Sequence, residues 1–292
     1  MSEPESFSPE AFEAQRPRLL RLAYRMLGSW AEAEDAVQDA WLRWQGAKGE
    51  AIADPAGWLV RVTTRLCLDR LRADKARRAA YRGPWLPEPL IEELTDDPLE
   101  RAEEVSVAFL LALERLSPLE RAVFLLHDVF ETDYADVAET LGKSEAACRQ
   151  LASRARSHVR DAKPRYSVSQ EEAARLAVAF MAAAQANDFE TLKGLLADDA
   201  MMITDGGGKG KAALRPMIGR DDVVGLIKGL AWRGHAWSGE TKVRLARING
   251  YLGAIVLSGD ALRTIAFEPD GEGKIAAIYI VANPEKLAGV EV

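Results

Sequence analysis

Residues 83–89, Gly-Pro-Trp-Leu-Pro-Glu-Pro, place three prolines within six residues. A proline ring removes a backbone donor and clashes with the carbonyl four residues back, so no helix runs through this stretch. The sequence reads as helix on both sides, so the chain divides here into two helical blocks. A second change comes near residue 168, beyond which glycine becomes frequent and short β-prone runs follow. A chain of 292 residues, at about 150 per domain, holds two or more cores that need no disulfide.

The first block, residues 7–82, carries Ala33, Ala36, Val37, Ala40, Trp41 and Trp44 on one apolar stripe at helical spacing. Asp35, Gln38, Asp39 and Arg43 lie off that stripe, facing water or a partner. Asp54-Pro55 starts another helix that leads through Trp58 and Leu59 toward a basic face. In the second block, Ser117-Pro118-Leu119-Glu120 is a capping box with proline at the first helical position. Thr132 or Asp133 can cap a short helix that stops at Gly142, and Ser144 caps a longer basic one through Arg160. Short helix, glycine turn and long basic helix make a helix-turn-helix pattern.

Overall charge points away from nucleic acid: 38 basic against 45 acidic residues give −7 and a pI near 5.3. The distribution along the chain points the other way. Residues 60–82 carry a net +6, residues 88–104 a net −7, and residues 143–165 a net +5. Two basic blocks, each ending a helical unit, point to a polyanion. Arg61, Arg65, Arg70, Arg72, Arg77 and Arg78 can line phosphates, with Trp58 and Tyr81 available to stack on bases. On the pattern alone, Trp58 fits a core aromatic on the apolar stripe better. In the helix after Gly142, Ser144, Glu145, Cys148, Arg149 and Ser153 are candidates for base edges, and Arg154, Arg156 and Arg160 for phosphates.

Beyond residue 168, helices are expected at 171–186 and 189–196, then strands at 242–248, 253–257, 262–268 and 275–281. This is a separate α+β domain. Asp205-Gly206-Gly207-Gly208-Lys209 lacks the spacing of a P-loop and reads as a loop whose backbone passes close to another surface. His235, between Trp232 and Trp237, has no local partner for acid–base work. Cys67 and Cys148 are too few for a disulfide framework or a zinc site, and the three histidines show no ligand spacing. No metal or cofactor is expected. No apolar run of about 18 residues is present and the acidic N-terminus is no secretory signal, so a cytoplasmic location is expected.

Leu22-Ala23-Tyr24-Arg25-Met26-Leu27-Gly28-Ser29, Ala33 through Arg43, and Gly57-Trp58-Leu59 through Arg72 resemble the second conserved domain of bacterial extracytoplasmic-function sigma factors. Leu116 through Arg121 and the helix-turn-helix up to Arg160 resemble the fourth. Three further motifs resemble a subgroup with a C-terminal SnoaL-like, NTF2-type extension. They are Trp85-Leu86-Pro87-Glu88-Pro89, Asp205-Gly206-Gly207-Gly208-Lys209, and Asn283-Pro284-Glu285-Lys286-Leu287, where the family usually has aspartate at Glu285.

The resemblance implies two all-α sigma domains, a helical bundle at 7–82 and a helix-turn-helix at 105–163. An acidic linker at 83–104 joins them, and an α+β cone follows at 168–288. It implies a non-enzymatic, monomeric transcription initiation factor with no membrane association. Asp35, Gln38, Asp39 and Arg43 would bind the clamp helices of the polymerase β′ subunit, while the second DNA module docks on the β flap. Trp58 to Arg78 would recognise and help melt the −10 element, and Ser144 to Arg156 would read the −35 element. The third domain would act in cis through its three motifs and leaves room for an unidentified small-molecule ligand. Two other readings compete: a helix-turn-helix repressor with a ligand-sensing domain, and an NTF2-fold enzyme using Asp205, Asp222 or His235.

Overall fold

The computed structural model describes residues 8–47, 52–92, 106–160, 169–232 and 241–291. They form two compact units, one of residues 1–79 with 108–163 and the other of 80–107 with 164–292. Most of the acidic linker, together with His235 and Trp237, lies outside the described residues.

In the first unit, α1 (Pro9–Leu27), α2 (Trp30–Gly46), α3 (Pro55–Ala73) and the short α4 (Lys75–Ala79) form the N-terminal bundle. Ser8, Ser29 and Asp54 each cap a helix with a side-chain oxygen, satisfying a donor that the helix leaves open. The stripe on α2 is buried at Ala33, Ala36, Val37, Ala40 and Trp44. Trp41, at its edge, is half-buried against the Phe12 ring at 4.9 Å.

The second helical block comprises α5 (Val107–Glu114), α6 (Pro118–Phe124) running into a π-helical turn at Leu125–Val129, α7 (Tyr134–Leu141) and α8 (Glu145–Arg160). The capping box at Ser117 and Glu120 is present with both of its hydrogen bonds. Asp133 stands at the cap position of α7 but makes no side-chain cap bond. Gly142 turns the chain in the left-handed region at φ 61°, where a side chain is disfavoured.

Arginines close helix ends within this unit. Arg65 donates to the carbonyls of Glu139 and Thr140 at the end of α7, at 3.2 and 3.0 Å. Arg121 donates to Met26 O at 2.6 Å and Arg78 to Leu27 O at 3.0 Å, both at the end of α1. Orphan carbonyls and the negative end of the helix dipole both favour a cation there. Glu114 accepts from Arg78 and Arg121, each at 2.8 Å. These contacts join the two helical blocks in one unit.

The second unit is a mixed seven-stranded sheet in the order β1-β4-β5-β6-β7-β2-β3, with α9 (Gln170–Ala186), α10 (Phe189–Leu195) and α11 (Arg220–Trp232). Strands β4 (Thr241–Ile248), β5 (Tyr251–Ser258), β6 (Ala261–Pro269) and β7 (Ile275–Val281) form an antiparallel meander. The parallel β2 (Leu196–Asp205) lies beside β7, with β3 (Met217–Ile218) at its outer side. Phe180, Met181, Leu192, Met202, Val223, Val256, Phe267 and Ile278 share the core between helices and sheet.

Residues on the proline-rich segment belong to this unit. Ile91–Glu92 pairs with β4 as β1, and Asn249 holds Leu90 through its N–H and its Oδ1. The architecture is therefore two helical blocks followed by an α+β domain, as expected. Strand β2 and helix α11 have no counterpart in the sequence reading.

Candidate nucleic-acid interface and regulatory node

On α8 the buried residues are Cys148, Ala152, Ala155 and Val159, spaced four, three and four apart. That spacing fixes the helix phase, and Ser144, Glu145, Arg149, Ser153, Arg154 and Arg156 are exposed. Cys148 is not a base contact, because its thiol packs into the core with 0% exposure. Burial raises its pKa, which makes it a small hydrophobe rather than a nucleophile. Gln150, absent from the sequence candidates, is exposed on α8 between Arg149 and Ser153.

The arginines of α8 are held by neighbouring side chains. Arg149 pairs with Glu145 and lies 5.3 Å from the Tyr134 ring centroid. Arg154 pairs with Glu120 at 2.9 Å, and Arg156 with Asp128 at 2.6 Å and the Tyr134 hydroxyl at 3.2 Å. The hydrogen bond to Asp128 raises the Arg156 pKa further. The Ser144 hydroxyl accepts from Ala147 N at 3.2 Å and so caps the helix it begins.

The basic block on α3 and α4 is more occupied than its charge suggests. Arg70 joins α3 to α2, donating to Glu32 O at 2.9 Å and to Asp39 at 2.7 Å. Arg65 and Arg78 close helix ends as described, and Arg61 lies 3.8 Å from Glu139. Arg77 pairs with Glu32 and Asp74, and the bond to Glu32 raises its pKa. Arg65, Arg70 and Arg78, expected to line phosphates, direct their donors to protein acceptors here. Arg72 is exposed and paired only with its helical neighbour Asp69 at 2.9 Å. Trp58 is half-buried, 5.7 Å from the buried Trp44 ring, so the core-aromatic reading holds for one of its faces. Cys67, also buried, has its thiol pushed up to about 12 by burial.

On α2, Asp35, Gln38 and Arg43 are exposed, while Asp39 is half-buried by its bond to Arg70. Leu42 is 58% exposed, one turn beyond Gln38 on the same face as Asp35. A leucine off an otherwise complete apolar stripe was the available signal for it.

The second unit gathers the three remaining motifs around one carboxylate. Asp205, at the end of β2, is 0% exposed. Its Oδ1 accepts from the Tyr81 hydroxyl at 2.6 Å and Gly207 N at 2.9 Å. Its Oδ2 accepts from Leu86 N at 2.9 Å and Lys286 Nζ at 2.7 Å. Lys286 also donates to Leu86 O, and its ammonium lies 4.3 Å from the Trp85 ring centroid. That is within cation–π range. Asn283 donates to the Tyr81 hydroxyl at 3.0 Å and accepts from Glu285 N at 3.1 Å.

Around this centre Leu86, Pro87, Pro89 and Leu287 are buried, Trp85 and Glu88 are half-buried, and Pro284 is exposed. Lys209 and Glu285 pair at the surface. A side chain on Gly207 would put its Cβ 2.4 Å from the Asn283 amide, so the loop does pass close to another surface. Gly206 is buried, and Gly208 has a φ of 75°. Tyr81, read from sequence as a base-stacking residue, belongs to this node instead. Asp205 is likewise engaged as a structural acceptor.

Residues 11–77 match the model of Sigma-70 region 2, and residues 106–159 that of Sigma-70, region 4. The chain is 44% identical to the ECF RNA polymerase sigma factor SigJ of Mycobacterium tuberculosis, over 95% of this chain and 92% of that protein. It is 32% identical to the probable ECF RNA polymerase sigma factor SigI of the same organism, over 95% and 93%. The crystal structure of Mycobacterium tuberculosis SigJ matches at a TM-score of 0.77 and 41% identity, covering 97% of this chain and 99% of that one. With region 2, region 4 and near-complete coverage by such relatives, the chain belongs to the extracytoplasmic-function RNA polymerase sigma factors.

Proposed function

We propose that this chain is a transcription initiation factor that brings core RNA polymerase to promoters and is modulated in cis by its C-terminal domain. The observation that carries the reading is the outward face of α8, where Arg149, Gln150 and Ser153 are exposed while Cys148 and Ala152 seat the helix. Arginine and glutamine are the side chains that pair bidentately with guanine and adenine in the major groove. In this reading α8 enters the −35 element, with Arg154 and Arg156 exchanging Glu120 and Asp128 for phosphates. Arg72, Arg77 and the exposed part of Trp58 meet the −10 element. The α2 face bearing Asp35, Gln38, Leu42 and Arg43 meets the β′ clamp, and region 4 docks on the β flap.

The C-terminal unit acts as the modulator because the Asp205 node holds the chain between the two sigma modules. The protein works in the cytoplasm, where polymerase and promoter are. Among the described residues no helix is long and apolar enough to cross a membrane.

Run-off transcription with core polymerase on the protein's own upstream promoter tests this. The full chain should direct a defined start. Gln150→Ala should relax discrimination at one −35 position by about 1–3 kcal/mol, roughly 5- to 150-fold. Equal output from a template with a scrambled −35 element would overturn the assignment of α8. Tight promoter binding by the chain without polymerase would favour a repressor.

A further inference from the structure

Between α9, α11 and the sheet of the second unit lies a cavity of about 540 Å³, well within the range of small-molecule sites. Phe180, Met181, Ile227, Val256, Ile265 and Ile278 give it an apolar wall. Arg263 interrupts that wall. On β6 it shares strand parity with Ile265 and Phe267, which belong to the core under the helices, so its guanidinium is directed to the same side.

Arg263 makes no hydrogen bond or ion pair with any described residue, and burial lowers its pKa. Arg263 is half-buried, so an unpaired cation stands at the edge of an apolar wall that a leucine would extend. Lys211, also on the cavity wall, is the second cation, and no described residue of this wall carries a carboxylate. A neighbouring hollow of about 450 Å³ also reaches Arg263 and carries Asp260. Asp260 is exposed and makes no ion pair with Arg263.

We propose that this cavity binds an aliphatic monocarboxylate, with the hydrocarbon chain against Phe180, Met181, Ile227 and Ile278 and the carboxylate on Arg263 and Lys211. The planar fork of Arg263 suits a carboxylate bidentately. A regulatory role for such a ligand rests on the domain being the modulator described above, whereas its binding does not.

Calorimetric titration of the full chain with octanoate, decanoate and dodecanoate tests the site. Acetate and decanol serve as the head and the body alone. Affinity should rise about three- to fourfold per added methylene until the cavity is full. Arg263→Leu should weaken decanoate at least tenfold while leaving decanol unchanged or tighter, and Arg263→Lys should keep part of the carboxylate affinity. Ile227→Trp, which fills the cavity and leaves the cation in place, should weaken both long-chain probes. Circular dichroism melting reports whether each variant is folded.

No decanoate binding to the folded wild type overturns the proposal. So does decanoate binding that is indifferent to Arg263→Leu, or acetate binding as tightly as decanoate. Run-off transcription with and without decanoate then addresses the modulator reading separately. Binding without a change in output retains the site and removes its regulatory role.

Discussion

Asp205 shows how one buried charge can organise three distant stretches of sequence. Its two oxygens receive four donors, from Tyr81, Leu86, Gly207 and Lys286, so the anion is fully solvated by protein. Such an arrangement contributes specificity more than stability, because a pair of apolar residues could fill the same space without desolvating charge. Removing one member is a different matter. Lys286→Met leaves the carboxylate buried with one cation gone, and stability of the second unit should fall by about 3–5 kcal/mol. Asp205→Asn with Lys286→Met should recover part of that loss, since no buried charge remains unopposed while the asparagine NH2 cannot accept from Leu86 N as the carboxylate does. Urea melts of the full chain can measure both. If the double variant is as unstable as the single one, the cost comes from lost packing rather than from a stranded charge.

At the level of elements, regular spacing was legible and context was not. The α2 stripe, the Ser117 capping box, the glycine turn and four strands of the meander all follow from periodicity and caps. Strand β2 was hidden because Asp198 and Asp199 interrupt its apolar pattern and its register with β7 shifts between Leu196 and Met201. Helix phase was the other loss. Cys148 sits four residues before Ala152 and so belongs with the buried set, a relation that residue type alone did not reveal. The Asp205 node was legible only as motifs by resemblance, because its hydrogen bonds span up to 202 positions of sequence.

The β6–β7 pair adds a pH-dependent element that the pattern did not announce. Burial raises the Glu268 pKa, opposed by a hydrogen bond from the Tyr279 hydroxyl at 2.7 Å. A carboxyl whose folded pKa exceeds its unfolded value binds its proton more tightly when folded. Stability is therefore lost as pH rises from the unfolded pKa through the folded one. Glu268→Gln keeps an acceptor for Tyr279 without the charge. Its Tm should exceed that of wild type at pH 7, and the gap should narrow as the medium is acidified toward the ordinary carboxylate range. A gap independent of pH would show that the two side chains differ in packing instead.

For the molecule as a whole, the net charge of −7 conceals a first unit in which several arginines are already engaged. Arg65 reaches from α3 to the end of α7, and Arg121 from α6 to the end of α1, so the two helical blocks hold each other reciprocally. A compact unit of roughly 130 residues has a radius of gyration of about 14 Å. The −10 and −35 elements lie about 25 base pairs apart, or roughly 85 Å at ~3.4 Å per step. On straight duplex the proposed −10 and −35 roles cannot both be filled by blocks packed together, so they require the Arg65 and Arg121 contacts to open. Cysteines placed at Glu13 on α1 and Ser157 on α8, both exposed, can carry a fluorophore pair, because the native Cys67 and Cys148 are buried. Energy transfer between them should be high in the free chain and fall on adding core polymerase and promoter duplex. Arg65→Ala removes two hydrogen bonds to α7 and should lower transfer in the free chain already. Unchanged transfer on forming the promoter complex would mean that the blocks remain joined, and that the reach to two elements is achieved by bending DNA instead.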